Sequence, residues 1–247
     1  MANANALSPR VLRISGLTKT YGSVAALSDV AFSVRPGEVL GVIGPNGAGK
    51  TTLFECLAGL LPFDRGSVTI DGRVLTRREV ASEIFYVPDG IAPWPAETVR
   101  WALDYTTGFF DGRADRRAAI ERQLGLTDLL ATPIGALSKG QRKRVAVAIG
   151  LLTPQPVLLA DEPFDGLDLR QSREAAAALR EHAASGRTLV LSIHQIADAA
   201  RVCDRFVLLS SGRMLGEGGL AELAALAAAR GGAPSLQDLE EVFLALT

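Results

Sequence analysis

The chain has 247 residues, 48% hydrophobic and 21% charged, with a formal net charge of -1. This is the profile of a folded protein with a substantial core. It excludes a disordered polyelectrolyte and a chain drawn to nucleic acid by overall charge, so no nucleic-acid partner is expected.

The opening MANANALSPR lacks the charged and apolar regions of a secretory signal. Residues 11–14 and 30–34 read as strands flanking a turn at Tyr21-Gly22, and Val39–Ile43 is a short apolar strand that runs into a glycine-rich loop. After Lys50 the pattern LFECLAGLL reads as a helix stopped by Pro62. Residues 67–70, a turn at Asp71-Gly72 and residues 74–75 form a small hairpin, and Ile84–Val87 is another buried strand. From 98 to 153 the texture changes to amphipathic helices, which predicts a helical subdomain inserted into an α/β body. Strand signals return at 157–160, 189–193 and 205–209, separated by helical segments as parallel pairing requires. An alanine-rich helix at 220–230, a Gly-Gly-Ala-Pro break and an amphipathic helix at 236–246 follow, and no internal repeat is visible. The apolar run VAVAIGLL at 145–152 falls well short of the roughly 20 residues that cross a bilayer, so a membrane role has to come through a partner. Cys56 and Cys203 lie in no CxxC or histidine spacing, which argues against zinc or a disulfide framework and fits a reducing cytoplasm.

Gly44-Pro45-Asn46-Gly47-Ala48-Gly49-Lys50-Thr51 satisfies G-x-x-x-x-G-K-[ST] between a predicted strand and a predicted helix. Glycines let successive backbone N–H groups turn toward phosphate oxygens, and the helix N-terminus adds partial positive charge. Lys50 suits the β- and γ-phosphates of ATP, and the Thr51 hydroxyl suits Mg²⁺. The apolar run at 157–160 then delivers Asp161, placed to hold the Mg²⁺ shell, and Glu162, placed as general base toward the attacking water.

With LSKGQ at 137–141, the ordered set resembles the ATP-binding subunits of ABC (ATP-binding cassette) transporters. The resemblance runs from about Val11 to the C-terminus. It implies an α/β fold: a P-loop NTPase core with a mixed, largely parallel sheet, an N-terminal antiparallel β region and an inserted α-helical subdomain. On this reading 1–97 and 154–218 form the ATP-binding core, 98–153 the helical signature subdomain and 219–247 a helical tail. It also implies that Tyr21 stacks on adenine, that Thr52 contacts phosphate, and that Ser138 and Gly140 contact the γ-phosphate held by the other subunit. Asp168, in Gly166-Leu167-Asp168, would lie across the dimer interface, and His194 would touch the γ-phosphate as a catalytic switch. His182, on a charged, alanine-rich helix, reads as solvated surface.

The implied partners are a transmembrane permease and a second copy of the chain or a homologous ATPase subunit, at the cytoplasmic face of a membrane. A soluble single-cassette ATPase, such as one for iron–sulfur assembly, is the alternative. Two positions depart from the family pattern. Asp89 in YVPDG stands where many members carry glutamine, and is expected to remain a Mg²⁺-side sensor; Lys139 stands where the signature usually has its first glycine. LSKGQ, the basic run 142–144 and the ending LEEVFLALT resemble exporter-type cassettes.

Overall fold

The structure, a computed structural model, describes residues 10–110, 114–230 and 239–246. β1 (Leu12–Tyr21) and β2 (Val24–Val34) form an antiparallel hairpin. β3 (Val39–Ile43) leads through the glycine-rich loop to α1 (Lys50–Leu57). β4 (Arg65–Ile70), β5 (Arg73–Val74), α2 (Arg77–Glu83) and β6 (Ile84–Val87) come next. The middle of the chain supplies α3 (Val99–Phe109), α4 (Ala114–Gln123) and α5 (Lys139–Leu152). β7 (Val157–Asp161), α6 (Leu169–Ala184), β8 (Thr188–Ile193), α7 (Ile196–Val202), β9 (Arg205–Ser210) and β10 (Arg213–Gly218) return to the sheet. α8 (Leu220–Ala229) and α9 (Leu239–Leu246) close the chain, and the Gly-Gly-Ala-Pro break between them lies outside the described residues. No helix among the described residues is long and apolar enough to cross a membrane.

The strands form two sheets, β2-β1-β4-β5 and β10-β9-β3-β8-β7-β6. In the second, the pairs β9/β3, β3/β8, β8/β7 and β7/β6 are parallel, and only β10 is antiparallel. Alternate residues of the parallel strands enter two cores. Leu40, Val42, Leu159, Val190 and Val207 pack toward the N-terminal sheet and α1. Ile43, Leu158, Leu191 and Leu208 pack toward the helices on the other face. Burial on both faces explains why these strands read as continuous apolar runs.

Several elements differ from the sequence expectation. α1 ends at Leu57, ahead of Pro62, because Gly59 takes the left-handed conformation (φ 70) that closes a helix. β1 and β2 are longer than 11–14 and 30–34, and register shifts between Ile14 and Thr20 break the period-2 pattern that would have revealed them. α2 and β10 are additional elements with no counterpart in the sequence expectation. His182 is buried, not solvated, at 8% exposure. Ala175, Leu179 and His182 lie on one helical stripe facing the core, so the alanines of α6 are packing residues and the histidine falls in line with them.

Candidate active site

Parallel pairing sets the site. Along the neighbouring strands β3, β8, β7 and β6, the residues just past each carboxyl end are the glycine-rich loop, His194, Glu162 and Asp89. Open α/β sheets bind ligands at this edge. A cavity of about 550 Å³ opens here, lined by the loop 45–52 together with Asp89, Asp161 and Glu162.

The loop needs its glycines for contact reasons as well as for turning. A Cβ at Gly44 would lie 2.2 Å from the Leu209 carbonyl oxygen, and one at Gly49 (φ 103) 2.6 Å from that of Ala26. Pro45, Asn46 and Gly47 form the exposed crest, while Ala48 is buried beneath them. The Lys50 side chain, 7% exposed, turns back so that Nζ donates to the carbonyls of Gly44 (2.7 Å) and Pro45 (3.3 Å) and lies 3.6 Å from Glu162 Oε1. A buried ammonium held by carbonyls and one carboxylate on a cavity wall is a receptor for anionic oxygen.

Asp161 is fixed from three directions. The hydroxyls of Thr51 (2.9 Å) and Tyr86 (3.3 Å) donate to Oδ2, and that of Ser192 donates to Oδ1. Burial and the Asp161 charge push the Tyr86 phenol far above its ordinary value, so it stays a donor. Hydroxyl and carboxylate oxygens side by side form a hard donor set that fits Mg²⁺. Tyr86 and Ser192 were missed by sequence reasoning. Ser192 lies directly opposite Asp161 in the β7/β8 register, a signal that appears only once the pairing is known.

Glu162 adopts φ 50, sparsely populated for a side-chain-bearing residue. Its backbone N–H donates to the Ser192 hydroxyl (2.9 Å) and carbonyl (3.2 Å), which holds the turn. The carboxylate then sits between Lys50 and His194, whose Nδ1 (2.5 Å) and backbone N–H (3.2 Å) both donate to Oε2.

Asp89 faces the cavity but is also ion-paired with Lys143 of α5 at 2.6 Å. Burial alone would raise its carboxyl, and the hydrogen bond and charge of Lys143 outweigh that, holding it below the ordinary carboxylate value. Thr52 lines the cavity; Tyr21 does not, standing half exposed at the end of β1 with Lys19 over its ring at 5.3 Å.

Ser138, Gly140 and Asp168 do not line this cavity. Ser138 caps α5 in a reciprocal box with Gln141: Gln141 N–H donates to Ser138 Oγ (3.2 Å), and Ser138 N–H to Gln141 Oε1 (2.8 Å). Asp168 caps α6 in the same way through Gln171. Gly140 packs so closely on the loop at 166–168 that a Cβ would lie 2.4 Å from the Gly166 carbonyl. Lys139 reaches back to Asp165 at 2.5 Å.

Residues 27–165 match the family model described as ABC transporter. The chain is 36% identical over 232 residues to the hemin import ATP-binding protein HmuV of Thermobifida fusca (strain YX), covering 86% of this chain and 78% of the relative. It is 33% identical over 220 residues to the Nod factor export ATP-binding protein I of Ralstonia nicotianae, covering 85% and 68%. A solved structure described as the ATP binding subunit of an ABC transporter superposes with a TM-score of 0.83 at 28% identity, over 96% of this chain and 99% of that one. With a phosphate-loop lysine, a fixed Asp161 and a His194–Glu162 pair meeting at one sheet edge, these likenesses establish that the chain belongs to the ABC transporter family, among its ATP-binding subunits.

Proposed function

We propose that this chain is a Mg²⁺-dependent ATPase that works as a pair and drives export through a membrane permease. One observation carries the pairing. Lys50, Thr51, Asp161, Glu162 and His194 gather at one edge, whereas the signature residues Ser138 and Gly140 lie away from the cavity of their own chain. A second copy, turned about a two-fold axis, would bring its Ser138 hydroxyl and α5 N-terminus to the open side of the cavity.

In the chemistry this supports, the loop amides and Lys50 hold the β- and γ-phosphates of ATP. Glu162 accepts a proton from water as its oxygen attacks the γ-phosphorus, and the bond to the β-phosphate oxygen breaks toward ADP. His194 aims the Glu162 carboxylate through the hydrogen bond to Oε2. Mg²⁺, held by Thr51 and Asp161, would neutralise charge on the β- and γ-oxygens. Positioning and fixed charge supply most of the rate.

A surface suited to the permease lies on α3 and the segment just before it. Trp94, Trp101, Tyr105 and Phe109 form a chain of ring contacts with centroids 5.0 to 6.0 Å apart, each ring more than one-third exposed. Exposed aromatic patches of this kind mark protein contacts. It stands beside the loop that carries Asp89, through an apolar cleft lined by Pro88, Ile91 and Trp94.

Glu162→Gln keeps the shape and removes the base. Phosphate release should fall by at least about 100-fold, and with ATP the variant should elute as a dimer in gel filtration. Elution only as a monomer would count against pairing. Export is supported by LSKGQ, the Asp89 loop and the tail resemblance, and predicts ATP-driven uptake of cargo into inside-out vesicles; uptake only into right-side-out vesicles would reverse the direction.

A further inference from the structure

Asp89 puts a full negative charge on the wall of the cavity read above as the triphosphate site. Left alone it would repel the phosphates and compete for their cation. It is not left alone. Lys143, 6% exposed and about one turn into α5, places Nζ 2.6 Å from Asp89 Oδ1 and 3.4 Å from the Asp161 main-chain carbonyl. One ammonium therefore joins the loop after β6, the end of β7 and the signature helix. A cleft of about 200 Å³ lies behind the pair, between Pro88, Gly90 and the first turns of α5. The nearby Lys139 is engaged with Asp165, and Arg144 donates to the carbonyls of Leu124 and Gly125. Among the described residues, Lys143 is thus the cation at ion-pair distance from Asp89.

We propose that Lys143 is a positioning residue for ATP hydrolysis, holding Asp89 at the cavity edge and cancelling its charge there, so that the pair behaves toward nucleotide as a neutral polar group tied to the signature helix. The proposal rests on the ATPase reading above. Removing only the cation leaves a bare carboxylate facing the phosphates, and removing only the carboxylate frees an ammonium toward them. The two single substitutions should therefore move nucleotide affinity in opposite directions, which loss of packing would not do.

The test is equilibrium binding of a fluorescent ATP analogue, mant-ATP, to the full chain, with and without Mg²⁺. Lys143→Met should weaken Mg²⁺-free binding about tenfold and less in Mg²⁺, because the cation screens the exposed carboxylate. Asp89→Asn should tighten Mg²⁺-free binding about threefold or more. The double substitution should return to within about threefold of the parent in both conditions. Equal weakening by Lys143→Met and the double variant, or no change in Mg²⁺-free affinity, would overturn the role. If Lys143→Met fails to fold, Asp89→Asn still decides: weaker or unchanged Mg²⁺-free binding rejects charge cancellation. A parent chain that binds no mant-ATP refutes the ATPase reading itself, whereas a parent that binds with insensitive variants refutes only Lys143.

Discussion

At the scale of single residues, the charges that matter are those the fold has taken out of water. His182 shows this away from the candidate site. Its imidazole is buried against two guanidiniums: Arg116 of α4 donates to Nδ1 at 3.2 Å, and Arg187, fully buried, donates to the carbonyls of Gln155 and Gly150 and to the Thr153 hydroxyl. Burial, then the charges of Arg116 and Arg187, drop the His182 pKa from 6.5 to about 3. The folded chain keeps the ring neutral while the unfolded chain protonates it below about 6.5. His182 therefore contributes its full stability above that pH and loses it as the pH falls toward 3, at up to about 1.4 kcal/mol per unit. Between pH 6.5 and 5.0, before most carboxylates titrate, unfolding free energy from urea curves should fall by roughly 1–2 kcal/mol. His182→Gln should flatten that slope; an unchanged slope would assign the acid sensitivity to other groups.

At the scale of elements, the start of α5 and the loop at 166–168 meet in a joint with no room for a side chain. Gly140 is needed there for space, since its backbone φ is not in the left-handed region and a Cβ would meet the Gly166 carbonyl at 2.4 Å. Gly108 in α3 has nothing within 4 Å of its hypothetical Cβ. Gly140→Ala should therefore cost about 1–3 kcal/mol of stability, whereas Gly108→Ala should add roughly 0.5–1 kcal/mol by reducing the freedom of the unfolded chain. Urea midpoints of the two variants check the contrast, and equal shifts would refute the joint. Lys50, Thr51, Asp161 and Glu162 were legible because each follows an apolar run at a fixed motif spacing. β3, β6 and β7 were legible because burial on both faces writes an unbroken apolar string. Tyr86, Ser192 and Lys143 were not, because their partners lie 75, 31 and 54 residues away and depend on strand order or on helix docking. β10 was hidden by three glycines within Arg213–Gly218 and the following residue, where side-chain alternation has little to show.

At the scale of the whole molecule, the site on one chain is half of what the proposed chemistry needs, and this separation can be tested without a structure of the pair. Lys50→Ala removes the ammonium proposed to bind phosphate and leaves the signature intact, while Ser138→Arg blocks the signature and leaves the glycine-rich loop intact. Each variant alone can form only homodimers in which both composite sites are damaged. A mixed dimer contains one site with both defects and one with neither, made from the phosphate loop of the Ser138→Arg chain and the signature of the Lys50→Ala chain. Mixing the two inactive proteins one to one should therefore restore ATP turnover, up to about a quarter of the parent rate if exchange is random and the sites act independently. A single chain carrying both substitutions should restore nothing when mixed with itself. If the mixture stays at the sum of the two singles while the parent shows Mg²⁺-dependent turnover, the signature acts within its own chain or not at all, and the paired site is wrong.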